Sequence, residues 1–415
     1  MSAVDILLTI SEYLISEAIT LHPERCLNAW HRAVGCTLCA EACPAEKAIV
    51  VTNGKPALDN EACRHCGLCL HHCPTGAFTR PDPLPGKLIK TIVALPDDDR
   101  VDLLCPFHAT PDSGPAPRAV QTKRCLAALP PATLLELTTQ EREIWLDDTF
   151  CSECPLAEIH PTLAQTVDEA NAWASLLENT VPISLHTRHT NPPPPINRPV
   201  HEADRPPVSR RGLFGVIKKL GPENPGEVVA DEGRTPPAQT GRPIPLAERL
   251  PHFVPRQRAK ILAIIDRATD TLASPDQPAG KIQPAPSSNE VRSALPVAEV
   301  KVDNNQCSAC NLCARFCPTE ALTYLSDEER FALAFHPRLC LGLRCNICAV
   351  ACPEEVVSLK PATISPDLLD KKPRYLAAGR LTSCQKCGTT IAAGLERPTT
   401  CYVCRLKVTT TGLFG

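Results

Sequence analysis

The sequence predicts an α+β protein assembled from small modules: two cysteine-rich modules, a small α/β domain between them, a long Pro-rich linker and a cysteine-paired C-terminal tail. Three observations lead there. All 24 cysteines fall into local groups of four, with none left over. Between residues 88 and 190, apolar runs that read as strands alternate with helical segments, the pattern of a parallel sheet. The 44 prolines of the 415-residue chain, more than twice the usual share of about 5%, crowd most densely into residues 191–299.

The length allows about three domains. Aromatic residues make up 4% of the chain and the one Met is the first residue, so a large aromatic core is not expected. Net charge is −3, spread over 43 basic and 46 acidic residues. That balance gives no footprint for nucleic acid, and no nucleic-acid partner is expected. The N-terminal stretch carries Asp5, Glu12 and Glu17 and lacks the basic start and long apolar run of a secretory signal. No segment has the roughly 18 consecutive apolar residues of a membrane helix. The expected setting is the reducing cytoplasm, where clustered cysteines point to metal rather than to disulfides.

In chain order, residues 1–21 read as an amphipathic helix, with Ile6, Leu7, Ile10, Leu14, Ile15 and Ile19 at helical spacing. Residues 22–87 form the first cysteine-rich module. In the small α/β domain, residues 88–190, strands are expected at Val101–Leu104, Ile144–Leu146 and Val181–Leu185, with helices around Ala119–Thr138 and Leu163–Glu178. The Pro-rich linker, 191–299, opens on Asn191 and Pro192 to Pro195 and cannot bury enough apolar surface to order itself throughout. It contains two islands: Ser209–Leu220, and a helix within Leu246–Leu272 holding Ile261, Leu262, Ile264 and Ile265. Residues 300–365 repeat the first module, and that duplication is the main architectural fact. Residues 380–410 are the tail.

Two cysteine runs are regular. Cys63-x2-Cys66-x2-Cys69-x3-Cys73-Pro74 and Cys307-x2-Cys310-x2-Cys313-x3-Cys317-Pro318 match the spacing by which thiolates hold a [4Fe–4S] cluster. Three thiolates on a tight loop wrap one cluster. The fourth, just before a Pro, points away to its neighbour. Each run has a partner with a stretched first spacing, Cys26-x9-Cys36-x2-Cys39-x3-Cys43-Pro44 and Cys340-x4-Cys345-x2-Cys348-x3-Cys352-Pro353. The residues that follow, CPAEKAIV, CPTGAF, CPTEALTY and CPEEVVSL, predict a short apolar strand after each loop.

These motifs resemble the bacterial two-[4Fe–4S] ferredoxin family, twice over. The fold class is then α+β with two ferredoxin-like 2[4Fe–4S] modules, and the family's ligand crossover implies four clusters. The first would use Cys26, Cys36, Cys39 and Cys73, and the second Cys63, Cys66, Cys69 and Cys43. The third would use Cys307, Cys310, Cys313 and Cys352, and the fourth Cys340, Cys345, Cys348 and Cys317.

Cys105, Cys125, Cys151 and Cys154 form a less familiar group. Ligands of an open parallel sheet bind beyond the carboxyl ends of its strands, and three of these cysteines follow such ends. The layout is loosely similar to the small iron–sulfur subunit associated with hydrogenases and heterodisulfide reductases. A fifth cluster, a zinc ion and unliganded buried thiols are the three readings. The tail carries Cys384-x2-Cys387 and Cys401-x2-Cys404, two knuckles that suit tetrahedral Zn²⁺ and resemble a zinc ribbon, with rubredoxin-type iron as the rival.

His71 and His72 adjoin cluster cysteines and either tune or merely cover a cluster. The island SRRGLFGVIKKL reads as a docking helix for a partner or a membrane surface, or as a solvated linker helix. No P-loop and no G-x-G-x-x-G after a strand is present. The expected function is that of a polyferredoxin-like electron-transfer subunit of an oxidoreductase complex, relaying single electrons between donor and acceptor proteins. Two alternatives stand beside it: a reductase with its catalytic centre at Cys105, Cys125, Cys151 and Cys154, and a redox-sensing scaffold.

Overall fold

The computed structural model describes residues 19–80, 84–96, 100–205, 252–271, 298–362, 372–394 and 397–405. The expected N-terminal helix falls almost wholly outside these residues, as do the SRRGLFGVIKKL island and the chain end. The chain divides into two compact units. The first takes Met1–Ile19, Arg64–Leu68 and Arg80–Pro245. The second takes Thr20–Cys63, Cys69–Thr79 and Leu246–Gly415. Among the described residues, no helix is long and apolar enough to cross a membrane.

In the second unit, β1 (Thr20–Leu21) pairs antiparallel with β4 (Phe78–Thr79), and β2 (Ile49–Thr52) pairs with β3 (Lys55–Leu58). The same plan returns later in that unit. β2 and β4 are the short apolar strands expected after Cys43 and Cys73.

The first unit holds helix α1 (Leu84–Val93) and a five-stranded sheet. Its strands are β5 (Val101–Leu104), β7 (Arg118–Gln121), β8 (Ile144–Leu146), β9 (Ser184–Leu185) and β11 (Val200–Glu202), in the order β11-β7-β5-β8-β9, with every pair parallel. A small ladder joins β6 (Ser113–Gly114) to β10 (Ile196–Asn197). Helices α2 (Pro131–Thr138) and α3 (His160–Ala174) complete it. The core joins α1 through Leu88 and Ile92 to Leu103, Val120, Leu134 and Leu146, all fully buried. Truncating one of these, Leu103→Ala for instance, should cost about 2–5 kcal/mol through lost burial plus the cavity left behind.

Two expectations are corrected here. Residues 118–121 belong to a strand rather than to the start of a helix running 119–138. Ala119 and Val120 are fully buried between two parallel neighbours, and α2 cannot start before Pro130 and Pro131, whose rings suit a helix's first turn but not its interior. Residues 196–202, read as linker, supply two strands. The sheet edge satisfies backbone groups that the polyproline run before them cannot.

In the second unit, helix α4 (Arg256–Thr271) falls within the expected island and buries Ile261, Ile264 and Ile265. Its Arg258 donates to the carbonyls of Arg338 (2.7 Å) and Pro337 (3.4 Å), and Asp266 accepts from Arg338 at 2.7 Å. The helix thereby clamps the turn before Cys340. β12 (Ala298–Val302) pairs antiparallel with β15 (Val357–Pro361), and β13 (Leu322–Ser326) pairs with β14 (Arg330–Phe335). This is the plan of β1–β4 again, so the duplication read from the cysteines extends to the strand pairing. The later copy is enlarged. The ten-residue β16 (Arg374–Ser383) adds to β14 and carries β17 (Thr390–Ala392) on its far part.

Candidate metal centres

The nine residues between Cys26 and Cys36 fold as two short helical turns, Leu27–Trp30 and Arg32–Val34, closed by Gly35 at φ 60°. Asn28 secures the return. Its amide donates to the Cys36 carbonyl (2.9 Å), and its side-chain oxygen accepts the Cys36 N–H (2.7 Å). A long loop thus returns Cys36 to the side of Cys26. Cys26, Cys36, Cys39 and Cys73 line one cavity of about 340 Å³, with Leu27, Leu38, Val51 and Phe78 among its apolar walls. The loop after Cys340 is shorter and needs only the turn Gly342–Arg344.

In the repeat, Cys307, Cys310, Cys313 and Cys352 line a cavity of about 400 Å³. Cys317 faces away from its own run. It stands with Cys340, Cys345 and Cys348, where its charge bears on all three thiols. Backbone N–H groups point at several sulfurs: Ala77 at Cys73 (3.3 Å), Leu322 at Cys317 (3.4 Å) and Gly342 at Cys340 (3.4 Å). Such bonds favour the thiolate and are one lever on cluster potential.

Burial works in the opposite direction. It pushes the Cys39 thiol up to about 12, aided by the charges of Cys73, Cys36 and Cys26. It raises Cys313, Cys345 and Cys348 as well, again with neighbouring thiols adding to the effect. Four thiolates crowded in an apolar pocket need a cationic centre to neutralise them. The donor set and the shape of each cavity therefore fit an iron–sulfur cluster, and loading would release protons.

In the first unit, Cys105 follows β5, Cys125 follows β7, and Cys151 and Cys154 follow β8. These three strands are neighbours and run parallel, so the four thiols emerge on one edge of the sheet. Burial, with mutual repulsion added, raises Cys125 to about 11 and Cys151 to about 12. Cys66 packs on the same core, and its charge bears on Cys125. Gly67 lets this approach happen: it sits at φ 82°, and a Cβ there would lie 3.1 Å from the Cβ of Ala128. Cys43, Cys63 and Cys69 fall in the second unit.

Beneath Cys105 lies a polar network that the sequence reading missed. Asp102, at the second position of β5, is fully buried and pairs with the buried guanidinium of Arg198. His186 Nε2 lies 3.1 Å from the other oxygen of Asp102, and His108 Nε2 lies 2.9 Å from Asp147. Asp102, Asp147 and His186 lie close enough to hold a metal ion, yet Arg198 already supplies a cation to Asp102. Burial alone would raise the carboxyl of Asp147. The His108 bond, the His186 charge and the Thr149 hydroxyl together outweigh it and hold the carboxyl far below the usual carboxylate range. Its stabilising effect is therefore complete above about pH 4, the unfolded value, and is lost as pH falls toward the folded one. Asp147→Asn should lower the melting temperature at pH 7, and the gap from the parent should narrow below about pH 4. The only sequence signal for this network was an Asp inside an apolar strand, the pattern VDLL.

His71 and His72 lie between Cys69 and Cys73. Burial, with His72 and Arg344 adding repulsion, lowers His71 to about 3. Burial and Arg344 lower His72 to about 4, so in this setting both rings are neutral at pH 7.

In the tail, Cys384 follows β16, Cys387 closes the first knuckle, Cys401 precedes the turn Tyr402–Arg405, and Cys404 sits on it. All four sulfurs lie within 4.8 Å of one another, and Cys387 and Cys401 are 3.6 Å apart. The N–H of Cys401 donates to Cys384 (3.2 Å) and heads the causes that lower this thiol to about 6. Hydrogen bonds with Cys387 and Cys401 hold the proton on Cys404, up to about 12. Four sulfurs this close cannot all ionise without a cation between them.

Comparison with known families bears on the ferredoxin-type runs. Residues 34–78 match a 4Fe-4S dicluster domain, and residues 300–323 match a 4Fe-4S binding domain. No curated protein matches the chain. Fold and cysteine pattern define a multi-cluster, ferredoxin-like protein with two ferredoxin-type 4Fe-4S modules, and iron–sulfur electron transfer is its general chemistry.

Proposed function

We propose that the chain is a polyferredoxin-like relay that passes single electrons between a donor protein and an acceptor protein. The observation that carries this reading is the sorting of thiols around cavities. Cys73 leaves its own run to join Cys26, Cys36 and Cys39, and Cys352 joins Cys307, Cys310 and Cys313. Cys317 joins Cys340, Cys345 and Cys348. The family's crossover implies that Cys43 would join Cys63, Cys66 and Cys69. Each set would hold a [4Fe–4S] cluster, which supplies a one-electron couple. The protein supplies apolar walls, N–H donors to sulfur and a fixed spacing.

A fifth cluster at Cys105, Cys125, Cys151 and Cys154 fits the same pattern of mutually repelling thiols at one sheet edge. The tail fits zinc. With Zn–S near 2.3 Å, tetrahedral sulfurs lie about 3.8 Å apart, and Cys387 and Cys401 stand at 3.6 Å. Metal and sulfide analysis of anaerobically prepared protein should give about 20 Fe and one Zn per chain, from four iron atoms per cluster and four thiolates per zinc. About 16 Fe would leave four clusters and remove the Cys105 centre. Little iron after reconstitution would overturn the relay.

A second reading is favoured by one observation. His108, three residues beyond Cys105, is hydrogen-bonded to the buried carboxylate of Asp147. A centre with a proton source nearby suits a reductase. Turnover of a disulfide by the isolated chain is its test.

A further inference from the structure

We propose that the two modules form one electron path, joined where the Cys26–Cys36–Cys39–Cys73 site meets the Cys340–Cys345–Cys348–Cys317 site, so that the four sites are a single array rather than two separate pairs. The inference rests on the relay reading and adds its route.

Both halves of the junction lie in the second unit. Leu27 and Trp30, from the first loop, are buried in one cluster with Leu341, Cys345 and Ile347 from the other. Cys36 and Phe316 pack against that cluster. The Trp30 ring meets His252 edge-on, with centroids 5.9 Å apart, and His252 Nδ1 lies 2.8 Å from the carbonyl oxygen of Cys317. The His31 ring meets Phe316, the residue before Cys317, at 5.4 Å. One cysteine of each site therefore borders the same apolar core. That core is at most 5% exposed at Leu27, Trp30, Leu341 and Ile347, so the path need not leave the protein. The two remaining sites of the array, those of Cys307 and of Cys63, take no part in this core.

An electron crossing the junction oxidises the centre on one side by one unit and reduces the centre on the other by one unit. No bond is made or broken and no proton moves. A donor protein supplies the electron at one end of the array, and an acceptor removes it at the other.

Low-temperature EPR of the fully reduced, full-length chain tests this. Cys310→Ser should remove the Cys307 centre, and Cys345→Ser the Cys340 centre. In the Cys345→Ser chain the Cys307 centre is left alone and should give a narrow, uncoupled signal. In the Cys310→Ser chain the Cys340 centre keeps its neighbour across the junction, and that narrow signal should be absent. Equally strong narrow signals in the two chains would overturn the junction. Each variant should lose about four Fe, which verifies that one centre alone has gone. The pair Cys313→Ser and Cys348→Ser repeats the comparison with different ligands, so that one unstable variant does not decide it. A parent chain without iron would remove the relay itself, whereas full iron with equal signals removes only the junction.

Discussion

Cys317→Ser and Cys345→Ser should each strip about four Fe from the chain, and the double variant should lose no more than either alone. Cys317→Ser combined with Cys310→Ser should lose about eight. The asymmetry follows from where the sulfur points. By position in the chain, Cys317 belongs with Cys310. In space it stands with Cys340, Cys345 and Cys348. Residues that act on one centre are non-additive when combined, and residues of separate centres add. Iron and acid-labile sulfide, read beside visible absorption, check both pairs. If Cys317 and Cys345 added while Cys317 and Cys310 did not, the crossover would be wrong.

The second large effect is on stability. Arg198→Met leaves Asp102 buried without its cation, and removing one partner of a buried ion pair costs about 3–5 kcal/mol. The carboxylate retains His186 at 3.1 Å, which would set the loss at the lower end if the ring takes up a proton. Pairing Arg198→Met with Asp102→Asn should recover part of the loss, because no charge is then stranded. Denaturant unfolding followed through Trp145 and Trp173, both in this unit, measures each step. A loss under about 1 kcal/mol for the single variant would mean that the pair is solvated and not structural. The same guanidinium occupies the space a side chain on Gly114 would need, so Gly114→Ala should displace it and reproduce part of the effect.

The cysteine spacings carried much of this in advance, because a cluster loop is a local object. Its ligands are a few residues apart, and a strand must follow each Cys-Pro. The crossover is what the family resemblance implied, since a sulfur that leaves its own run is not a local feature. Other features were not. Asn28 bonding to Cys36 explains how a nine-residue gap still serves one site, yet no sequence rule marks that Asn among polar residues. The strand at 118–121 was hidden by an apolar stretch whose period suits a helix as well as a strand, and only its two parallel neighbours settle the matter. Residues 196–202 read as linker because prolines precede them and their apolar content is slight. What orders them is a sheet edge built from residues far back in the chain. The Asp102 network needed four segments brought together, and sequence spacing holds no trace of such an arrangement. The apolar seam around Trp30 was likewise invisible, since Leu341 and Ile347 gain their meaning only from it.

That seam has a bearing on how the protein is made. Leu27 and Trp30 are covered by Phe253, Leu341, Cys345 and Ile347, all synthesised long after the first module has left the ribosome. Contacts this distant in sequence form late and slowly. Until then Leu27, which lines the Cys26 site, and its neighbour Trp30 lack the apolar cover that holds their loop. The first centre encoded by the chain is therefore expected to be among the last to be secured. Truncation before residue 300 should compromise a site whose every ligand is still present.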